Sequence, residues 1–225
     1  MSVKAVIFGS IGTLSDTSDL QLQAFNMAFE EAGLDWVWGG DEYREMLKKP
    51  GGKARIARYA EAKGEDVSAS ELHRAKIRFF DQLVEQKGIT LRPGVADVIS
   101  AAEARGLKLG FATTTNTDTL ELLFSGLFPV LPRSEFDWIG DQSMVEAGKP
   151  APDIFERALR ELGVSADEAL AIEDTPESAE AAIAAGLRTL GFANAMAKGR
   201  EFPQGVEMVD HLDPTVLDEV SLAAE

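Results

Sequence analysis

The stretch most informative about the fold is residues 169–176, Ala169-Leu170-Ala171-Ile172-Glu173-Asp174-Thr175-Pro176. A short apolar run with strand character ends in two carboxylates, and a proline follows where the start of a helix tolerates one. A short apolar run followed by a helical segment recurs along the chain. The other runs with strand character are Ala5–Phe8, Leu107–Ala112, Phe136–Ile139 and Thr189–Phe192. This alternation predicts an α/β fold in which helices cover a parallel sheet.

The segments between these runs have helical periodicity and end in glycine. Gly106, Gly163 and Gly186 each follow the last helical residue, where glycine is the preferred cap. The predicted helices of this part are Gly94–Arg105, Asp118–Phe124, Ala151–Leu162 and Glu177–Ala185. The last roughly 30 residues lose clear periodicity, so we expect them to pack loosely.

Residues 15–90 interrupt the alternation, because four helical stretches follow one another without a strand between them. They are about Leu20–Ala32, Asp41–Lys48, Lys53–Lys63 and Ala69–Glu85. The sequence therefore predicts two domains, a core of residues 1–14 and 91–225 and a helical domain of residues 15–90. We expect the helical domain to lie over the carboxyl ends of the strands, where open α/β sheets bind ligands.

The composition excludes several classes of protein. The 225 residues include 22 Lys and Arg against 38 Asp and Glu, and the net charge of −16 opposes binding to nucleic acid. The absence of cysteine excludes disulfides, thiolate catalysis and cysteine-ligated zinc. No apolar run reaches the ~20 residues of a membrane span, and the first run stops at Gly9, too early for a secretory signal. We therefore expect a cytoplasmic protein with no nucleic acid or membrane partner.

Three polar clusters follow predicted strands or precede predicted helices. Thr113 and Thr114 come directly after a strand, and hydroxyls with free backbone N–H groups at such a place suit an anion. Lys149 stands in a proline-rich turn before a helix. Glu173 and Asp174 end the strand at residue 172, where two carboxylates favour a hard cation such as Mg²⁺. Each cluster alone has an ordinary structural explanation, but their joint occurrence at successive strand ends indicates a site.

Together these motifs resemble the haloacid dehalogenase (HAD)-like superfamily, and more closely its CbbY-like sugar-phosphate phosphatases, the relatives of β-phosphoglucomutase. Thr113 with Thr114 resembles the second motif of that family, Lys149 the third, and Glu173-Asp174 the fourth. Three stretches are similar to the helical cap of the CbbY-like group: Gly33-Leu34-Asp35-Trp36, Gly51-Gly52-Lys53 and Leu72-His73-Arg74-Ala75-Lys76. The resemblance implies a Rossmannoid core with a helical cap domain inserted after the first strand.

The first motif departs from the family pattern. Relatives carry D-x-D-G-T-L, in which the first Asp is the nucleophile and the second is the general acid and base. This chain has Gly9-Ser10-Ile11-Gly12-Thr13-Leu14, so Gly9 and Ile11 replace both carboxylates. Gln21 stands where the family often has a histidine. Because side chains of an extended segment alternate, we expect Ser10 to point away from the pocket that residues 9 and 11 face, and to be a poor substitute nucleophile.

The resemblance implies that the residues that bind phosphate are retained. Thr113, Thr114, Lys149 and the backbone around Gly12 are the expected phosphate-binding groups. Asp174 and Glu173 remain of the magnesium site, and we expect Mg²⁺ to bind weakly because one ligating carboxylate is missing. The residues of the cap expected to contact the rest of the substrate are Gly52, Lys53, Arg55 and Gln21.

Three functions remain open at this point. The first is a pseudo-phosphatase that binds phosphate or a small phosphorylated metabolite. The second is a hydrolase or mutase that acts on a sugar phosphate by a non-standard route. The third is a protein-interaction module with a vestigial pocket, whose partner the sequence does not name.

Overall fold

The computed structural model describes residues 2–49 and 51–218. The chain forms two compact units, one of residues 1–16 with 90–225 and one of residues 17–89. Within the described residues, the strands are β1 (Ala5–Phe8), β2 (Lys108–Ala112), β3 (Trp138–Gly140), β4 (Ala169–Glu173), β5 (Arg188–Gly191) and β6 (Val206–Met208). The helices are α1 (Ile11–Leu14), α2 (Ser18–Glu31), α3 (Gly40–Leu47), α4 (Gly52–Lys63), α5 (Ala69–Lys87), α6 (Val95–Ala104), α7 (Thr117–Leu127), α8 (Asp153–Leu162) and α9 (Pro176–Ala184).

The first unit is built on a parallel sheet with the strand order β3-β2-β1-β4-β5-β6 in the part of the chain described. β1 and β4 are buried along their whole length, as strands covered by helices on both faces are. Phe8 at the end of β1 pairs with Phe111 of β2 and with Ile172 of β4. This register places the ends of the three strands level, so the residues that follow them share one edge of the sheet.

The second unit consists of α2, α3, α4 and α5. α2 buries Phe25 and Phe29 on the face that the helical spacing indicated. Trp36 and Trp38 are each 1% exposed and pack edge-on or tilted against these rings. Both tryptophans therefore act as packing anchors.

The predicted α/β fold is confirmed, and the boundaries of the predicted elements shift by a few residues. β3 begins at Trp138, two residues after the predicted start of the run, and α5 extends to Lys87. β6 was not predicted. It lies in the segment expected to pack loosely, yet it pairs with β5, and Leu212 and Leu217 beyond it are buried. Among the described residues, no helix is long and apolar enough to cross a bilayer.

Candidate functional site

The candidate site of the first unit lies where β1, β2 and β4 end. Gly9 follows β1, Thr113 follows β2, and Glu173 is the last residue of β4. The backbone N–H of Gly9 donates to the carbonyl of Ile172 at 2.9 Å, and that of Thr113 donates to the carbonyl of Gly140 at 3.1 Å. Backbone hydrogen bonds therefore continue past the strands and fix the first residues of these loops.

Lys149 and Glu173 form a buried ion pair at this edge. Their side chains are 5% and 0% exposed, and the ammonium lies 2.5 Å from Oε1 of the carboxylate. The same ammonium donates to the carbonyl of Gly9 and lies 4.6 Å from the centre of the Phe155 ring. The pair thus joins the loop after β1, the turn before α8 and the end of β4.

Glycine at position 9 makes room for the carboxylate of Glu173. A Cβ added to Gly9 would lie 1.9 Å from Oε1 of Glu173, well inside van der Waals contact. A Cβ on Gly12 would lie 1.8 Å from Oδ2 of Asp174. The volume next to position 9, where relatives carry the nucleophilic Asp, is therefore filled by the carboxylate of Glu173.

Ser10 points toward the carboxylates, so the prediction that it points away was wrong. Its hydroxyl donates to Oδ1 of Asp174 and, at 3.2 Å, to Oε2 of Glu173. The alternation of a strand does not extend to Ser10, because β1 ends at Phe8 and α1 begins at Ile11. Asn194 completes the set by donating its amide to Oδ2 of Asp174 at 2.6 Å.

Burial dominates the electrostatics of Glu173. Burial raises the pKa of this carboxyl to about 7, although the adjacent Lys149 ammonium acts in the opposite direction. Asp174, as a second negative charge, contributes further to the increase. The Glu173 carboxyl therefore ionises less readily than an exposed glutamate, and the Lys149 ammonium favours its charged form.

Thr113 and Thr114 lie beside the turn that carries Lys149. Thr113 is buried, and its hydroxyl oxygen accepts the N–H of Thr115 at 3.1 Å, which leaves its proton available to another acceptor. The Thr114 side chain lies 3.7 Å from the position of a Cβ on Gly148. The structure thus brings the expected phosphate-binding residues of the second and third motifs to neighbouring loops.

Arg92 was missed by the sequence analysis. Its guanidinium donates to the carbonyls of Gly12 at 2.7 Å, Phe192 at 2.8 Å and Ala193 at 2.7 Å, and it lies 3.3 Å from the centre of the Phe192 ring. Burial lowers the pKa of Arg92, while the nearby carboxylate of Asp174 acts to raise it. The hydrogen-bond acceptors of Arg92 are backbone carbonyls, which match no motif, so the sequence contained no pattern that identifies it. Asn194 was also missed, because no motif links it to Asp174, 20 residues earlier in the sequence.

The carboxylates of Glu173 and Asp174 do not present a set of ligands for a metal ion. Within residues 2–49 and 51–218, no group of three His, Cys, Asp or Glu side chains lies together in a way that suits one. Their four oxygens already accept hydrogen bonds from Lys149, Ser10 and Asn194. The residues present therefore do not fit the magnesium site that the family pattern implies.

The second unit contains a separate cluster of buried cations. Arg55 and Lys76 are each 5% exposed, and neither has a carboxylate partner among the hydrogen bonds of the described residues. Arg55 donates to the carbonyls of Met46 and Lys49, and Lys76 donates to the side-chain oxygen of Gln21. Both cations also lie over the ring of Phe25.

Burial and mutual repulsion determine the pKa values of this cluster. Burial lowers the pKa of Lys76 to about 7, and Arg55 contributes in the same direction. The pKa of His73 is lowered by burial and by Lys76, Lys53 and Arg55, so these four basic residues influence one another. Gly52 lies against His73, because an added Cβ would be 2.8 Å from its Nε2. Lys53, Gly52, Arg55 and Gln21, the four residues expected in the cap, thus all belong to or border this cluster.

Comparisons with known proteins identify relatives over nearly the whole chain. The sequence profile of the haloacid dehalogenase-like hydrolases matches residues 3–186. The protein CbbY of Cereibacter sphaeroides is 39% identical over 211 residues, which cover 92% of each chain. The protein CbbY of Rhodobacter capsulatus is 37% identical over 205 residues and 90% of each chain. The predicted relationship to the CbbY-like group is confirmed.

Solved structures of CbbY proteins also match this chain over nearly its whole length. The crystal structure of CbbY from Rhodobacter sphaeroides in complex with phosphate has a TM-score of 0.85 at 39% identity, covering 93% of this chain and 94% of that one. A mutant of that protein in complex with xylulose-(1,5)bisphosphate matches with the same score and coverage.

Proposed function

The chain belongs to the haloacid dehalogenase-like hydrolases, and from that premise we propose that it binds phosphate or a phosphorylated sugar without forming an aspartyl-phosphate. The observation that carries the proposal is Gly9, whose missing side chain leaves space that the carboxylate of Glu173 fills. Ile11 likewise provides no proton donor or acceptor. Loss of a nucleophile or a general base typically lowers the rate by several orders of magnitude, so turnover by the family route is expected to be negligible.

The groups proposed to hold the phosphate are Thr113, Thr114, Lys149 and the backbone of Gly12. Lys149 has three N–H bonds and uses two of them, for Glu173 and the carbonyl of Gly9, which leaves one for a ligand. Thr113 has a hydroxyl proton to donate. The ion pair with Lys149 offsets the charge of the Glu173 carboxylate and so reduces its repulsion of a phosphate group.

The cation cluster of residues 17–89 is proposed to bind an anionic group as well. Buried cations without a carboxylate partner are costly, and an anion would offset that cost. Arg55 and Lys76 meet this description, and Lys53 is exposed next to them. A CbbY relative was crystallised with xylulose-(1,5)bisphosphate, a sugar with two phosphates, which supports a ligand of this class.

We further propose that residues 15–90 are the cap domain of this family and that Gly52 and Gln21 belong to the ligand site. We also propose that the protein works in the cytoplasm.

Thermal-shift measurements with inorganic phosphate and with xylulose 1,5-bisphosphate test this function. A ligand at 100 times its dissociation constant is expected to add about 2.7 kcal/mol of apparent stability. Thr113→Val removes one phosphate donor and is expected to weaken the response to both compounds. Thr189→Val is the matched control, since Thr189 is a buried threonine whose hydroxyl donates to the carbonyl of Leu187 at 3.0 Å.

Arg55→Met provides the complementary test. It removes one cation of the cluster and is expected to weaken the response to the bisphosphate. Absence of a shift with every phosphorylated compound would contradict the proposal and favour the interaction module.

Hydrolysis by a non-standard route is the second candidate, and the hydrogen bonds of Ser10 favour it. A serine hydroxyl that donates to two carboxylates has a base within reach. Phosphate release that is lost in Ser10→Ala, together with phosphoserine at residue 10 detected by mass spectrometry, would support this route over simple binding.

The combined change Gly9→Asp with Ile11→Asp tests whether only the first motif has diverged. Because Glu173 occupies the space beside Gly9, the new Asp must displace that carboxylate. We expect phosphatase activity in the double variant only if Glu173 moves, and circular dichroism is needed to verify the fold.

A further inference from the structure

Each of the four carboxylate oxygens of Glu173 and Asp174 lies within hydrogen-bond distance of a donor from the protein itself, and two of them share the single hydroxyl proton of Ser10. Lys149 donates to Oε1 of Glu173, and Ser10 bridges Oε2 of Glu173 and Oδ1 of Asp174. The amide of Asn194 donates to Oδ2 of Asp174 at 2.6 Å. Two adjacent carboxylates, 0% and 4% exposed, are thereby satisfied without any ligand.

The charges at this edge of the sheet also balance without a metal ion. Lys149 forms an ion pair with Glu173. The guanidinium of Arg92 donates to backbone carbonyls and is near enough to Asp174 to attract it electrostatically, so a second cation lies close to the second carboxylate. Aspartates at positions 9 and 11 would add two negative charges that only a further cation offsets. Their replacement by Gly9 and Ile11 removes the excess charge.

We propose that Ser10, together with Lys149, takes the place of a divalent cation, so that this site is permanently metal-free. The hydroxyl of Ser10 lies between the carboxylates of Glu173 and Asp174, the two groups that would remain to hold a hard cation, and Lys149 supplies the positive charge. A cation that entered would have to break the hydrogen bonds of Ser10 and lie near the ammonium of Lys149. The site therefore gains nothing from magnesium.

The residues on either side of Ser10 allow it to reach both carboxylates. Gly9 and Gly12 have no side chains, so the carboxylates of Glu173 and Asp174 approach the backbone on either side of Ser10. Ser10 itself is extended, with φ −157° and ψ 165°, directly before α1, and this conformation directs its short side chain at the carboxylates. The change from the family motif is thus a concerted one, in which glycine admits one carboxylate and serine bridges both.

The response of thermal stability to divalent cations tests the inference. We expect about 10 mM Mg²⁺, Mn²⁺ or Ca²⁺ to change the Tm of the unaltered protein by less than about 1 °C. In Ser10→Ala the carboxylates lose their bridging donor and repel each other, so the Tm is expected to fall. The same cations are expected to restore several degrees, because they now have a place between the two carboxylates.

Two further variants control for general destabilisation. Ser143→Ala removes a similar serine–carboxylate bond, that of Ser143 to Asp141 at 2.6 Å, where no second carboxylate takes part. Its Tm is expected to fall without any recovery in the presence of cations. Ser10→Ala combined with Glu173→Gln removes the repulsion, so this double variant is expected to fold without cations and to ignore them.

The inference would be overturned by a Tm of the unaltered protein that rises by more than about 2 °C in Mg²⁺. A folded Ser10→Ala that does not respond to cations would overturn it as well. If Ser10→Ala does not fold, the double variant Ser10→Ala with Glu173→Gln tests the inference instead. Failure of this double variant to fold would show that repulsion between the two carboxylates does not cause the unfolding, and would contradict the inference. These outcomes do not depend on phosphate binding, so the inference and the proposed function stand or fall separately.

Discussion

The molecule buries two lysines in opposite ways. Lys149 in the first unit lies against the carboxylate of Glu173, whereas Lys76 in the second unit donates to the amide oxygen of Gln21 and lies over the rings of Phe25 and Phe80, with no carboxylate hydrogen-bonded to it among the described residues. The two side chains are similarly inaccessible to water, and their residues are 8% and 5% exposed. Since their burial is alike, the difference between them lies in their partners.

This difference indicates in which region the buried charges are balanced by the protein itself. Around Lys149, charge is balanced inside the protein, and removal of one partner would leave the other buried and alone. Around Lys76, charge is unbalanced, and burial together with Arg55 lowers its pKa to about 7. A protein retains such an arrangement at a cost to stability, which is typical of residues that meet a charged ligand.

The largest effect is expected from breaking the paired lysine. Lys149→Met leaves the carboxylate of Glu173 buried without its cation, and we expect a loss of about 3–5 kcal/mol in the free energy of unfolding. The pKa of Glu173, about 7 in the unaltered protein, rises further in this variant, so the loss is expected to grow as the pH increases above about 7. Urea unfolding at several pH values measures both the loss in the free energy of unfolding and its dependence on pH.

A compensating change distinguishes loss of the pair from loss of packing. Lys149→Met combined with Glu173→Gln removes the unpaired charge and is expected to recover most of the stability. Recovery of less than about 1 kcal/mol would contradict the assignment of the loss to Glu173.

The unpaired lysine is expected to show the opposite pH dependence. The folded protein binds fewer protons at Lys76 than the unfolded chain does between pH 7 and 10, so stability from this group increases with pH by at most about 1.4 kcal/mol per unit. Lys76→Met cannot take up the proton and is expected to be more stable than the unaltered protein at and below pH 7. The advantage is expected to vanish toward pH 10, and an advantage independent of pH would contradict the lowered pKa.

The smallest effect is expected from an exposed ion pair of the second unit. Lys63 lies 3.5 Å from Asp35, whose side chain is 86% exposed. Water and salt screen such a pair, so Lys63→Gln is expected to change the free energy of unfolding by less than about 1 kcal/mol. A loss comparable with that of Lys149→Met, measured in the same urea titration, would show that burial does not determine how much each ion pair contributes to stability.

Most of the fold was predictable from the sequence because its determinants are local. The apolar run Ala169–Ile172 lies within β4, and Gly163 and Gly186 adopt the positive φ expected of residues that end helices. β6 was not predicted, since a three-residue edge strand with two exposed residues has too short a pattern. It is defined by its pairing with β5, which only the folded sheet provides.

The site was predictable only where a motif marks it. Lys149, Glu173 and Thr113 were predicted because residues of these types follow strands or precede a helix. The bridge from Ser10 was not, because it depends on where β1 stops and on a carboxylate more than 160 residues away in sequence. The clamp by Arg92 was missed since its acceptors are backbone carbonyls, which every residue has.

That clamp has a consequence for recognition. One guanidinium holds the turn at Gly12 to the segment at Phe192 and Ala193 through three hydrogen bonds. The turn is thereby preorganised, and a guest molecule that docks there does not have to immobilise it. The entropic penalty of association is correspondingly reduced, because the rigidity is already built in before any encounter.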